Sequence, residues 1–302
     1  DYCADNKNDN NGYEDSTTYF QGGKVAILRK AKRCLKFDAG VRIDGKYSNN
    51  YYHNVYENLI RLLAIEECNN MISEKVPLII DRMIIDTPSL NRIFDILSKN
   101  LNRSYITLDE GECAEVGQLY CVSAINYLVP IHIGPQKGGI EDYVFDRNYV
   151  MRMRERLLAY KSTGNYPKRI FLTRKSATHR KINEDDILKV LLPLGFEIVA
   201  PEKFSFEEQM AIFNNAECII GCSGAAFTNV IFCSDKCTVI CLDRYGYAYP
   251  VFTAPACFSG ARMLNFQSDA GTTSSKIHSD FVINADSFSK FINSIIPKDT
   301  VG

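Results

Sequence analysis

From Arg169 to Asp243 the chain repeats one pattern: a short apolar run, a tight polar connection, then an amphipathic stretch. The runs "RIFLTR" (169–174), "FEIVAP" (196–201), "CIIG" (218–221) and "CTVICLD" (237–243) read as strands, and "NEDDILKVLLPLG" (183–195), "SFEEQMAIFNNA" (205–216) and "AAFTNVIF" (225–232) between them read as helices. Strands that are apolar throughout and joined by helices belong to a parallel sheet covered on both faces, so this half of the chain is confined to a doubly wound α/β domain.

The first half alternates less regularly. "KVAIL" (24–28), "VPLIIDR" (76–82), "SYITLD" (104–109) and "QLYCVSAI" (118–125) read as strands. "YYHNVYENLIRLLAIEECNNM" (51–71) brings Val55, Leu59, Leu62, Leu63 and Ile65 near helical spacing, and "PSLNRIFDILSKN" (88–100) opens on Pro88 with Ile93, Leu97 and Leu101 on one face. Residues 1–20 are polar and aperiodic and are expected to form a mobile leader. Composition shifts in "GPQKGGIEDYVFDRN" (134–148), which sets the expected boundary between an N-terminal Rossmann-like domain of residues 21–140 and a C-terminal one of residues 141–302. The basic stretch "YVMRMRERLLAYK" (149–161) then opens the second domain, and the last helix is free to pack back on the first.

A formal charge of -1 gives no general attraction to nucleic acid or anionic membranes, so an acidic ligand must meet a local basic site. No apolar run approaches the roughly 18 residues of a membrane span, and no signal-peptide layout opens the chain. Of the eleven cysteines, Cys218, Cys233, Cys237 and Cys241 sit in apolar stretches, as reduced thiols of a cytoplasmic protein do; with Cys222 they lack the knuckle spacing of a zinc site. No D-x-D pair has strand flanks, and Asp185-Asp186 opens a helix, so no metal is expected.

Ligands of doubly wound sheets gather at the carboxyl ends of the strands. There "IIGCSGAAFTN" (219–229) offers the small residues Gly221, Ser223, Gly224 and Ala225 for close approach of a diphosphate, and Ser223, Thr228 and Asn229 as polar contacts. "RKSATHRKINE" (174–184) puts Arg174, Lys175, Arg180 and Lys181 around one loop, the cationic set such a diphosphate needs. Glu202 ends the next strand, where a carboxylate accepts from sugar hydroxyls, and Ser205 with Glu208 fits a capping box. Two rival uses of the turn stay open: a plain tight corner, and the elbow of a serine hydrolase with Ser223, Asp243 and His278. A single strand after the turn, "CTVICLD", counts against the hydrolase.

The order "RKSATHRKINE", "FSFEEQ", "IIGCSGAAFTN" resembles glycosyltransferase family 61, whose members carry an arginine-rich loop ending in N-E, then "LSFxEQ", then "IIGxHGAGLTN". "NNYYHNVYENLIRLL" is similar to the family's "NYYHWLxExLPRL", which carries over His53 and Glu57. Ser223 stands where many members have histidine and Ala226 where they have glycine, so a donor contact through that histidine does not carry over. The resemblance covers about residues 47–245. It implies a GT-B fold of two Rossmann-like domains facing across a cleft, with a nucleotide sugar on the C-terminal domain as co-substrate; a UDP-linked donor is the expectation here. It implies inverting transfer to a saccharide acceptor without metal or other cofactor, in capsule or surface polysaccharide assembly. His53 is then the candidate base, Glu57 orients or replaces it, and Arg174 and Arg180 take the diphosphate. A nucleotide-sugar-binding relative without catalysis is the remaining alternative.

Overall fold

The structure is a computed structural model that describes residues 18–22, 25–28, 30–43, 45, 48, 50–128, 143–177, 180–244, 249–267 and 280–296. The chain divides into two α/β units, one of residues 1–136 and 144–157, the other of residues 137–143 and 158–302.

In the second unit five parallel strands lie in the order Glu197–Val199, Arg169–Leu172, Cys218–Cys222, Thr238–Asp243, Arg262–Gln267. Numbered along the chain this is 2-1-3-4-5, in which the winding reverses between the first strand and the third. On one face Phe171, Ile220, Cys222, Ile240 and Leu242 pack with the helices Glu184–Leu191 and Ala285–Ile295. The final helix therefore belongs to this core, where the sequence had left it free to join the first domain. On the other face Phe227 meets Phe252 at 5.5 Å between ring centroids, and Phe206 of the helix Phe206–Asn215 meets Phe232 at 5.8 Å. A Cβ at Gly221 would stand 2.9 Å from that of Leu172, so glycine lets the first and third strands meet closely at the reversal.

The capping box expected at Ser205 is present: its side chain accepts from Glu208 N while the Glu208 carboxylate accepts from Ser205 N. The five cysteines from Cys218 to Cys241 are buried, and burial pushes the thiols of Cys218 and Cys222 up to about 12, as befits small hydrophobes. Among the described residues no helix is long and apolar enough to cross a membrane.

The first unit holds a four-stranded parallel sheet in the order Tyr105–Leu108, Leu78–Asp81, Arg33–Arg42, Glu112–Cys121. A separate antiparallel pair joins Thr18–Gly22 to Val25–Leu28, so the stretch expected as a leader ends in a strand; residues 1–17 lie outside the described residues. The apolar set Val55, Leu59, Leu62, Leu63 and Ile65 is buried, and so are Ile93, Leu97 and Leu101. Helical structure runs as Tyr51–His53, a π-turn over Asn54–Leu59, and Arg61–Glu67. Asn50 caps its start, accepting from Tyr52 N at 2.9 Å.

The basic helix Arg147–Leu158 is grouped, up to Leu157, with this first unit, although the composition shift before it had suggested the second. Charge explains the difference. Arg156 donates to Glu66 at 2.6 Å, Tyr149 to Glu67 at 2.5 Å, and Arg152 also pairs with Glu67. Burial pushes the Glu66 carboxyl up, but hydrogen bonds from Arg156 and Asn100 outweigh it and hold the group below the usual carboxylate range. Hydrogen bonds from Tyr149 and Arg152 hold Glu67 low as well.

A carboxyl whose folded pKa lies below its unfolded value stabilises the fold above that value, about 4.3, and loses the contribution as pH falls through the folded one. Wild type is therefore expected to melt above the Glu66→Gln/Glu67→Gln variant at neutral pH, with the gap closing below pH of about 4. Thermal melts across this range check it; a gap that persists in acid contradicts the charge tie.

Candidate functional site

The strand Arg169–Leu172 delivers Thr173 and Arg174 to the carboxyl end of the sheet, at the winding reversal. Glu184, the first residue of its following helix, is 6% exposed and sets the loop between them. One of its oxygens accepts from the Thr173 hydroxyl at 2.6 Å and the other from Arg174 N at 2.6 Å. The Arg174 guanidinium is thereby carried across to the third strand, where Nη1 lies 3.4 Å from the main-chain oxygen of Ser223. A Cβ at Gly224 would meet this guanidinium, so a side chain there would have to displace the end of Arg174.

Arg180 returns to the same place from the far end of the loop. Its φ of +56° puts a non-glycine residue in the left-handed region, at a cost of about 1 kcal/mol, and such strain concentrates at functional sites. Its buried Nε has no hydrogen-bond partner among the described residues. Burial, then the charge of Arg180, lowers the pKa of Arg174. Arg174, Glu184, Arg180 and Asp243 all stand close enough to Cys222 to act on its thiol. Two partly desolvated guanidiniums that repel each other form a site whose energy falls when an anion enters.

The remaining residues divide by burial. Lys175 and Lys181 are exposed; Lys175 pairs with Asp185 at 3.1 Å, and Lys181 uses its main chain, N donating to Asp280 at 2.8 Å. Both border a cleft of about 540 Å³ that Arg174 and Glu184 also line. Glu202, exposed, accepts from the Ser176 hydroxyl at 2.7 Å and so joins the Arg174 loop. Ala225 is exposed and opens the expected helix, Ala225–Phe232, which is of the 3-10 kind. Thr228 and Asn229 are buried on it, and Asn229 Nδ2 donates to Gln209 at 3.0 Å, tying the turn to the "FSFEEQ" segment.

A hydrolase elbow presents its serine at the top of the sheet, whereas Ser223 is 1% exposed. Among the described residues two strands follow the turn, the second being Arg262–Gln267, where one was expected, and His278 lies outside them. Periodicity alone did not single out Glu184 or Arg244. Arg244 is 3% exposed at the end of the fourth strand, where its N donates to the Asp243 carboxylate at 2.7 Å. Its only sequence signal is a cation directly after a buried strand. Among the described residues no group of three or more His, Cys, Asp or Glu is placed to hold a metal.

His53 and Glu57 belong to the first unit, on the helical segment that Asn50 caps. His53 Nδ1 lies 2.9 Å from Glu57 Oε2, with side-chain exposures of 10% and 15%. The two are at ion-pair distance without the alignment of a hydrogen bond, and Glu57 Oε1 is buried with no partner among the described residues. A carboxylate 2.9 Å from Nδ1 favours, by its charge, a proton on that nitrogen over one on Nε2.

Removing the Glu184 carboxylate leaves two donors of the loop unsatisfied, so Glu184→Ala is expected to lower unfolding free energy by about 2 kcal/mol. Ser176→Ala, at an exposed hydrogen bond, is expected to change it by less than about 0.5 kcal/mol. Urea unfolding of both variants checks the contrast; equal effects would contradict the placing role of Glu184.

A search of curated proteins finds no match to the chain. The family model "Glycosyltransferase 61" matches residues 51–240, a span that includes His53, Glu57, the Arg174–Arg180 loop and the Ser223–Asn229 turn. The chain belongs to glycosyltransferase family 61.

Proposed function

We propose that the protein transfers a sugar, with inversion, from a UDP-linked donor to a saccharide acceptor in the cytoplasm, in capsule or surface polysaccharide assembly. The two α/β units are then the two domains of a GT-B enzyme. The observation that carries the donor half of this reading is the Arg174 guanidinium at the winding reversal beside Gly224, with Arg180 near enough for its charge to repel it. A diphosphate offers two negative groups to such a pair, and arginine matches phosphate oxygens in fork geometry.

In the reaction the acceptor oxygen bonds to the anomeric carbon while the bond from that carbon to the diphosphate breaks. The acceptor proton passes to His53 Nε2, with Glu57 holding the ring from Nδ1, and Arg174 and Arg180 take up the charge growing on the leaving diphosphate. The arginines supply the positive charge, so transfer is expected without metal. Lys175, Lys181, Glu202, Gly224 and Ala225 complete the proposed donor contacts, and the buried Ser223, Thr228 and Asn229 shape the turn that presents them. No part is assigned to nucleic acid.

Thermal melts with UDP, CMP, GDP and ADP, with and without EDTA, test the donor site. UDP is expected to raise the melting temperature in EDTA, and Arg174→Ala or Arg180→Ala to abolish the rise. His53→Ala and Glu57→Ala are expected to keep the rise but to lower UDP release from donor by at least about 100-fold. No rise with any nucleotide sinks the donor site, and alanine variants of His53 and Glu57 with wild-type turnover sink the base. Binding of UDP without turnover of any donor would favour the non-catalytic relative.

A further inference from the structure

The segment carrying His53 and Glu57 is not a plain α-helix. Its π-turn over Asn54–Leu59 is a wide coil of the kind that recurs at functional sites and admits side chains into the main-chain ladder. Inside this turn the main-chain oxygen of Tyr56 accepts from Asn126 Nδ2 at 2.6 Å. Asn126 is 2% exposed, and its Oδ1 accepts from Asp146 N at 2.9 Å. Asp146 in turn opens the helix Arg147–Leu158, its carboxylate accepting from Asn148 N at 2.9 Å and Tyr149 N at 3.2 Å. Both ends of the Asn126 amide are thus committed: the donor end must face Tyr56 and the acceptor end Asp146.

The oxygen that Asn126 holds belongs to the peptide group whose nitrogen is that of Glu57. Further along, Arg156 of the same Arg147–Leu158 helix binds Glu66, so the His53 segment is gripped at its π-turn and again near its end. An α-helix turns by about 100° per residue and the wider π coil by less, so relaxation of the turn moves Glu57 around the axis relative to His53.

We propose that Asn126 is a positioning residue for the His53–Glu57 pair, holding the π-turn through the Tyr56 carbonyl so that the Glu57 carboxylate faces His53 Nδ1. Its importance to turnover rests on the reading of that pair as the base, but the positioning itself is read without substrate. The chain has four histidines, so ring-nitrogen NMR of histidine-labelled protein resolves His53, assigned by its loss in His53→Gln.

Wild type is expected to show His53 as the Nδ1–H tautomer, and Asn126→Ala, with unchanged circular dichroism, to lose that single-tautomer signal. Asn126→Asp keeps the size and the acceptor for Asp146 N but removes the donor, and the same loss is expected. In wild type the side-chain amide hydrogens of Asn126 should exchange with solvent slowly. A folded variant that keeps the wild-type tautomer, or fast amide exchange in wild type, overturns the proposal. In transfer assays the variants should lose kcat with the donor KM unchanged. A changed tautomer with unchanged kcat would retire the base assignment and leave the positioning role standing.

Discussion

Glu184 is nearly buried, and both of its oxygens are used inside the protein, one by the Thr173 hydroxyl and one by Arg174 N. A carboxylate is expensive to bury unless it is hydrogen-bonded and near compensating charge, and this one has both. Its two bonds define the course of the chain as it leaves the first strand. They bring the Arg174 guanidinium to the main chain of Ser223, beside Gly224. Arg180, with a left-handed backbone, lies near enough for its charge to act on Arg174, a repulsion that an entering anion would relieve.

The doubly wound half was legible because its strands are buried on both faces, so apolar runs such as "CIIGC" mark them without ambiguity. The strand Arg33–Arg42 was not, although Leu35, Phe37, Ala39 and Val41 alternate with Lys36, Asp38, Gly40 and Arg42 at period two. It is largely exposed over its first half, and its charged positions resemble a solvated loop. Arg262–Gln267 was hidden in the same way, as an edge strand only partly covered. The basic helix Arg147–Leu158 shows a different limit: its amphipathic pattern reveals a helix, but only the three-dimensional positions of Glu66 and Glu67 say which unit it joins.

Of the candidate site, the arginines and the small-residue turn were visible as residue types at strand ends, where doubly wound sheets bind ligands. Glu184 was visible only as a helix opener, because nothing in "KINEDD" shows that this one of three adjacent acids turns inward. His53 and Glu57 share a face at helical spacing, yet the π-turn between them, and its tie to Asn126 seventy residues on, has no local signature. A side chain that bonds to a main-chain carbonyl is invisible to periodicity, since the carbonyl belongs to every residue alike.

A nucleoside diphosphate is proposed to sit where the Arg174 loop meets the Gly224 turn. A crystal structure of the protein with UDP tests it most directly. The diphosphate is expected within hydrogen-bond distance of the Arg174 and Arg180 guanidiniums and against the main chain at Gly224 and Ala225. A well-ordered diphosphate bound elsewhere on the protein, with neither arginine touching it, would rule this site out.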